Sequence, residues 1–169
     1  MSFKDKTCIV FDGDNDKWAY ARMKGWKALE TIDFDFEDVH DEYPLTVRAS
    51  VEEYINGKLR QRFSKAKQVI ILIGEQTKNL YKYVRWELEV AQDLDLPVIA
   101  VNLNGDRSQN NGTCPPIIRD EYVVHIPFKM KIMKDALDNF PSEYKKRNST
   151  DKGPRLYNNN IYENLGLNE

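Results

Sequence analysis

Short apolar runs alternate with longer stretches of helical period along the chain. Residues 7–11 (TCIVF) form a compact apolar run that stops at the polar turn Asp12-Gly13-Asp14-Asn15-Asp16. Trp18 to Leu29 carries helix formers and aromatics, and Phe34-Asp35-Phe36 alternates as a short edge strand does. Ser50 and Glu53 have the spacing of a capping box. Val51, Tyr54, Ile55, Leu59 and Phe63 then recur near the helical period, so a helix is predicted from Ser50 to Lys67. Residues 68–73 (QVIILI) are apolar without alternation, the pattern of a strand buried on both faces of a parallel sheet. Gly74 ends that strand, and Thr77 or Asn79 is placed to cap a helix reaching Asp95. Residues 97–102 (PVIAVN) read as another buried strand and residues 122–126 (YVVHI) as a last one. Lys129 to Phe140 follows as a helix with Ile132, Met133, Ala136, Leu137 and Phe140 on one side.

Strands separated by single helices call for right-handed crossovers, so the expected class is α/β. The expected architecture is a flavodoxin-like, doubly wound sheet of five parallel strands in the order 2-1-3-4-5. The fold is expected to occupy residues 1–140. Residues 104–116 (NGDRSQNNGTCPP) read as a surface loop, and residues 141–169 as a polar tail or a short appended helix near Ile161 to Leu165. A length of 169 residues suits one domain. The 25 basic and 27 acidic residues leave a net charge of −2, which argues against a basic nucleic-acid clamp. No apolar run approaches the roughly 18–20 residues that span a bilayer, and the opening MSFKDKT leads straight into strand pattern rather than a secretory leader. Neither Cys8 nor Cys114 has metal-ligand spacing with His40 or His125. Free thiols in a cytoplasmic protein are expected, with no metal site.

In a sheet of this order, ligands bind beyond the carboxyl ends of the strands at the switch point. That rule selects Asp12 to Trp18, Glu37 to Thr46 and Gly74 to Asn79. The alternating Asp12, Asp14 and Asp16 resemble the start of a calcium loop, but Lys17 and Met23 stand where such a loop needs Gly and Glu. A phosphoacceptor receiver needs an Asp where this chain has Gly74. No dinucleotide fingerprint, P-loop or nucleophile elbow is present. On a helical wheel Leu80, Tyr83, Val84, Leu88, Val90, Ala91 and Leu94 share one arc, and Glu87 interrupts it. A carboxylate there either pairs with an Arg or faces the rim of the crevice, where burial or a ligand must be accommodated. Trp18, directly after the acidic turn, is placed to stack on a flat ligand. Trp18 and Trp26 fall on opposite sides of their helix, so at most one need be core.

Residues 11–16 (FDGDND), 72–77 (LIGEQT), 84–87 (VRWE) and 125–128 (HIPF) occur in this order with the right elements between them. Together they resemble the bacterial and archaeal TIR-like domain family, the flavodoxin-like branch that includes the TIR subunit of Thoeris antiphage systems. The resemblance spans roughly residues 6 to 140 and implies cleavage of NAD as substrate, with no cofactor, in antiviral defence signalling. It implies Glu87 as the catalytic carboxylate, in the place of an acidic residue that active relatives need on this helix. Such a group can hold ribose hydroxyls and stabilise an oxocarbenium-like sugar. Phe11, Asp12, Asp14, Trp18, Gly74 and Tyr83 are the expected substrate-binding residues, with Phe11 and Trp18 as a wall against the rings. The implied partners are NAD or a related nucleotide and a second copy or another protein, with neither nucleic acid nor membrane. The alternative is a non-catalytic signalling or assembly module in which Glu87 is structural.

Overall fold

The computed structural model describes residues 6–29, 31, 34, 37–38, 57, 59–80, 83–148 and 150–167. Its centre is β3 (Gln68–Ile73), whose residues are all buried. β1 (Lys6–Val10) lies on one side of it and β4 (Val98–Asn102) on the other, with Cys8 beside Val69 and Ile70 beside Ile99. β2 (Glu37–Asp38), β5 (Val124–Pro127) and β6 (Arg155–Leu156) extend the sheet outward. Among the described residues this gives six strands, all paired in parallel, in the order β2-β1-β3-β4-β5-β6.

Alternate residues of each strand face opposite ways, and each face has its own apolar cluster. Ile9, Ile70, Leu72, Ile99, Val101, Val124 and Ile126 face α1 (Lys17–Ala28) and α4 (Met130–Lys145). Cys8, Val10, Val69, Ile71, Ile73, Val98 and Ala100 face α2 (Arg60–Phe63) and α3 (Tyr83–Asp93). His125 is fully buried in β5, and burial lowers its pKa to about 4, so it is a neutral packing residue at physiological pH. No helix among the described residues is long and apolar enough to cross a membrane.

The structure moves several expected boundaries. The edge strand is Glu37–Asp38, and Phe34 is instead buried with its ring edge-on to Trp26 at 5.4 Å. Of the helix expected from Ser50 to Lys67, Gly57 and Leu59 are described as π-helical and Arg60–Phe63 as α-helical; residues 50–56 and 58 lie outside the described residues, as does His40. Thr77–Asn79 is a single 3-10 turn, and the following helix begins at Tyr83 and ends at Asp93. Asp95 then takes a φ of 52°, the left-handed turn that commonly closes a helix.

The segment beyond Phe140 is built into the core. α4 continues through the buried Pro141 to Lys145, β6 pairs with β5, and α5 (Asn159–Asn164) follows. Asn158 caps α5 by accepting the Ile161 N–H at 3.2 Å. Tyr157 and Tyr162 are buried in the α1–α4 cluster. Arg107 lies 3.9 Å from the Tyr162 ring centroid and donates to the Leu167 carbonyl at 2.8 Å, tying this end of the chain to the loop after β4. The sheet therefore exceeds the expected five strands by one. Tyr162→Ala should lower unfolding free energy by about 3 kcal/mol in urea titrations, because it empties a packed site. A change within about 0.5 kcal/mol, as on a solvated tail, would contradict the packing.

Candidate functional site

The acidic turn after β1 is built by its first residue. Asp12 is 2% exposed; its Oδ1 accepts the N–H groups of Asp14 (3.0 Å) and Asn15 (3.2 Å), and its Oδ2 accepts Asn15 Nδ2 at 2.7 Å. The Asp16 N–H donates to the Asp12 carbonyl, which brings the chain round into α1. Such a side chain mimics a backbone turn and fixes the loop rather than reaching a ligand. Asp14 is exposed, while Asp16 turns back under the end of β3 and is 7% exposed.

There Asp16 meets Gly74. A Cβ on residue 74 would lie 2.2 Å from Asp16 Oδ2, so only glycine leaves room for that carboxylate. Thr77 Oγ1 accepts the Gly74 N–H at 2.9 Å and donates to Asp16 Oδ2 at 3.4 Å, which explains why Thr77 closes this turn instead of capping a helix. Burial and, after it, the charge of Asp12 raise the Asp16 pKa, with the Thr77 hydrogen bond opposing and Glu75 adding to the rise.

This knot forms the floor of a crevice of about 330 Å³ beyond the carboxyl ends of β3 and β4. It is lined by Asp16, Trp18, Ile73, Gly74, Glu75, Leu103, Asn104 and Thr113. Trp18 is 48% exposed and stands edge-on to Phe128 at 5.6 Å, whereas Trp26 packs between Phe34 and Phe128. An aromatic face beside carboxylates suits a flat group that is cationic or rich in donors. Among the expected residues the crevice thus gathers Trp18 and Gly74. Phe11 is not in its lining; its ring stacks on Tyr20 at 4.8 Å. The side chain of Tyr83 lies outside the described residues. Asp16 and Glu75 fall within the stretches that the strand-end rule selects, though neither is among the expected substrate-binding residues; Asn104 and Thr113 line the crevice from outside those stretches. The strand-end rule that selected Asp12 and Gly74 applies equally to Asn104, which follows β4.

Glu87 belongs to the other face of the sheet. The apolar stripe of α3 is buried at Val84, Leu88, Val90 and Ala91, and Glu87 is buried with it at 7% exposure. Arg62 Nη2, from α2, donates to Glu87 Oε2 at 2.9 Å. The Glu87 side chain keeps 9% of its surface exposed against 3% for Arg62, so the acid is the more open half of the pair. Burial outweighs the attraction of Arg62 and pushes the Glu87 pKa up to about 7. The residue therefore takes the Arg-paired alternative and does not line the crevice described above.

Two measurements probe these contacts. Gly74→Ala should cost about 1–3 kcal/mol of stability by forcing Asp16 aside, and adding Asp16→Ala should recover most of that loss in urea titrations. For Glu87, the folded protein holds its proton from the ordinary 4.5 up to about 7, so ionisation opposes folding in that window. The stability of Glu87→Gln relative to the parent should therefore improve as pH rises from about 5 to 7.5. A difference that stays flat with pH would contradict the raised proton affinity.

No curated protein matches this chain. A family model described as Thoeris protein ThsB, TIR-like domain, matches residues 2–108, a stretch that includes β1 to β4, the Asp16–Gly74 knot and Glu87. With more than half its length matched, the chain belongs to the Thoeris ThsB TIR-like family, which places it in antiphage defence signalling.

Proposed function

We propose that the protein cleaves the nicotinamide–ribose bond of NAD, either depleting NAD or forming a cyclic ADP-ribose-type signal, with Glu87 as the catalytic carboxylate. The observation that carries this reading is the state of Glu87: buried on α3, held through one oxygen by Arg62, open on part of its surface and titrating near neutrality. In the reaction the bond between C1′ and the ring nitrogen breaks, and both electrons go to nicotinamide, discharging its pyridinium. The ribose left behind is oxocarbenium-like, and a carboxylate fixed by Arg62 stabilises that charge without reorganising. Water or a hydroxyl of the same molecule then bonds to C1′ and releases its proton; an adenine ring nitrogen would bond through its lone pair, with the proton leaving from the adjacent amino group. NAD is the substrate, and no cofactor is invoked.

The Arg62–Glu87 pair itself favours a second reading, a non-catalytic module that binds another protein or a second copy, with the pair cementing α2 to α3. Incubating the purified protein with NAD and measuring free nicotinamide separates the two. The catalytic reading expects release that rises with pH through about 7, as Glu87 ionises, and falls at least about 100-fold in a folded Glu87→Gln variant. Equal release from both proteins would remove Glu87 from the chemistry. No release from the parent between pH 5 and 8 would favour the binding module.

A further inference from the structure

The crevice beyond β3 and β4 takes no part in the chemistry at Glu87, and its polar groups are one-sided. Its floor is the Asp16 carboxylate, whose oxygens lie 2.2 and 2.5 Å from where a Cβ on the lining residue Gly74 would stand. Asp16 is 7% exposed, and its Oδ2 accepts the Thr77 hydroxyl. Its Oδ1 accepts no hydrogen bond among the described residues and still reaches solvent. Glu75 stands exposed on the rim, and neither carboxylate has an ion-pair partner among the described residues. Polar donors of the lining are engaged elsewhere: the Thr113 hydroxyl donates to the Asn110 carbonyl at 3.4 Å, and Asn104 Nδ2 to Asp106 Oδ2 at 3.0 Å. Two cations of the neighbouring elements do not fill the gap. Lys78 donates to the Gly112 carbonyl at 2.5 Å, and the Arg22 guanidinium lies 5.6 Å from the Trp18 ring centroid.

What stays open is negative charge, acceptor atoms and the half-exposed Trp18 ring. We infer that this crevice binds a small planar amidinium or guanidinium compound, its N–H groups donating to Asp16 Oδ1 and the Glu75 carboxylate and its flat face against Trp18. Such a cation carries several donors in one plane and no acceptor, so it answers this lining without leaving a polar atom of its own unpaired. A planar cation also gains from the aromatic face, whereas a phosphate-bearing ligand would bring like charges together. At about 330 Å³ the crevice is at the small end of ligand sites, which suits a single-ring molecule. Burial, and then the charges of Asp12 and Glu75, raise the Asp16 pKa, a repulsion that a bound cation relieves. The site does not rest on the NAD reading, because Glu87 is not in its lining.

Titration calorimetry on the full chain with benzamidine tests it, with benzamide as a neutral probe of the same shape. Benzamidine should bind saturably and benzamide at least about tenfold more weakly. Asp16→Asn, which keeps the outline of the side chain, and Trp18→Leu should each weaken benzamidine about tenfold. Equal binding of the two probes, benzamidine binding untouched by Asp16→Asn, or no saturable heat from benzamidine would overturn the proposal. Should Asp16→Asn fail to fold, Trp18→Leu at its exposed position and the contrast between the probes on the parent chain still decide.

Discussion

Complete burial of β3 on both faces is the constraint from which the rest of the molecule follows. A strand flanked by β1 and β4 and covered from both sides must be apolar or pair each polar side chain, as Gln68 at its start does by donating Nε2 to Thr7 Oγ1 at 2.9 Å, because an unpartnered group would only lose water. Polar groups are therefore displaced to where the strand ends. Gly74, Asp16 and Thr77 meet at that end, and the crevice opens above them. Its depth depends on the missing side chain of residue 74, which lets Asp16 sit beneath the loop instead of filling the opening.

The same constraint acts on the covering helices. α3 must present an apolar stripe to the sheet, and Glu87 enters that stripe only with Arg62 beside it. Removing both charges from water carries a penalty of several kcal/mol per ion, which their attraction offsets only in good geometry. The pair therefore adds little net stability over apolar residues of similar volume, although removing one partner alone would leave a buried polar group unpaired. Its position on the α2–α3 face also separates it from the crevice, whose lining does not include Glu87.

What could be read from the sequence followed the strength of periodicity. Residues 69–73 and 97–101 are unbroken apolar runs, and their strands form where the pattern puts them. The burial of Glu87 was legible too, because it stands inside a regular stripe. Its partner was not: Arg62 is 25 positions away, and only the packing of α2 on α3 brings the two together. Asp12 illustrates a different limit. Its residue type suggested ligand binding, whereas its carboxylate is occupied by neighbouring N–H groups, a local geometry that composition does not encode. At the end of the chain the short helix near Ile161 to Leu165 was legible and is present as Asn159–Asn164, whereas the added strand and the buried tyrosines were not. β6 is two residues long and carries no period, and Tyr157 and Tyr162 are buried amid polar neighbours that mask them in any averaged pattern.

The loop of Asp12, Asp14 and Asp16 counts formally as three negative charges, yet the field at the mouth of the crevice is weaker than that count. Asp12 faces a set of amide dipoles whose positive ends point at it, so much of its potential is cancelled locally. Asp16, buried beside the Asp12 charge, binds its proton more tightly than a free carboxylate. Asp14 alone presents its charge outward. The outward-facing charge at the mouth is therefore that of the exposed Asp14 and Glu75, and ionic strength screens such exposed charges most readily.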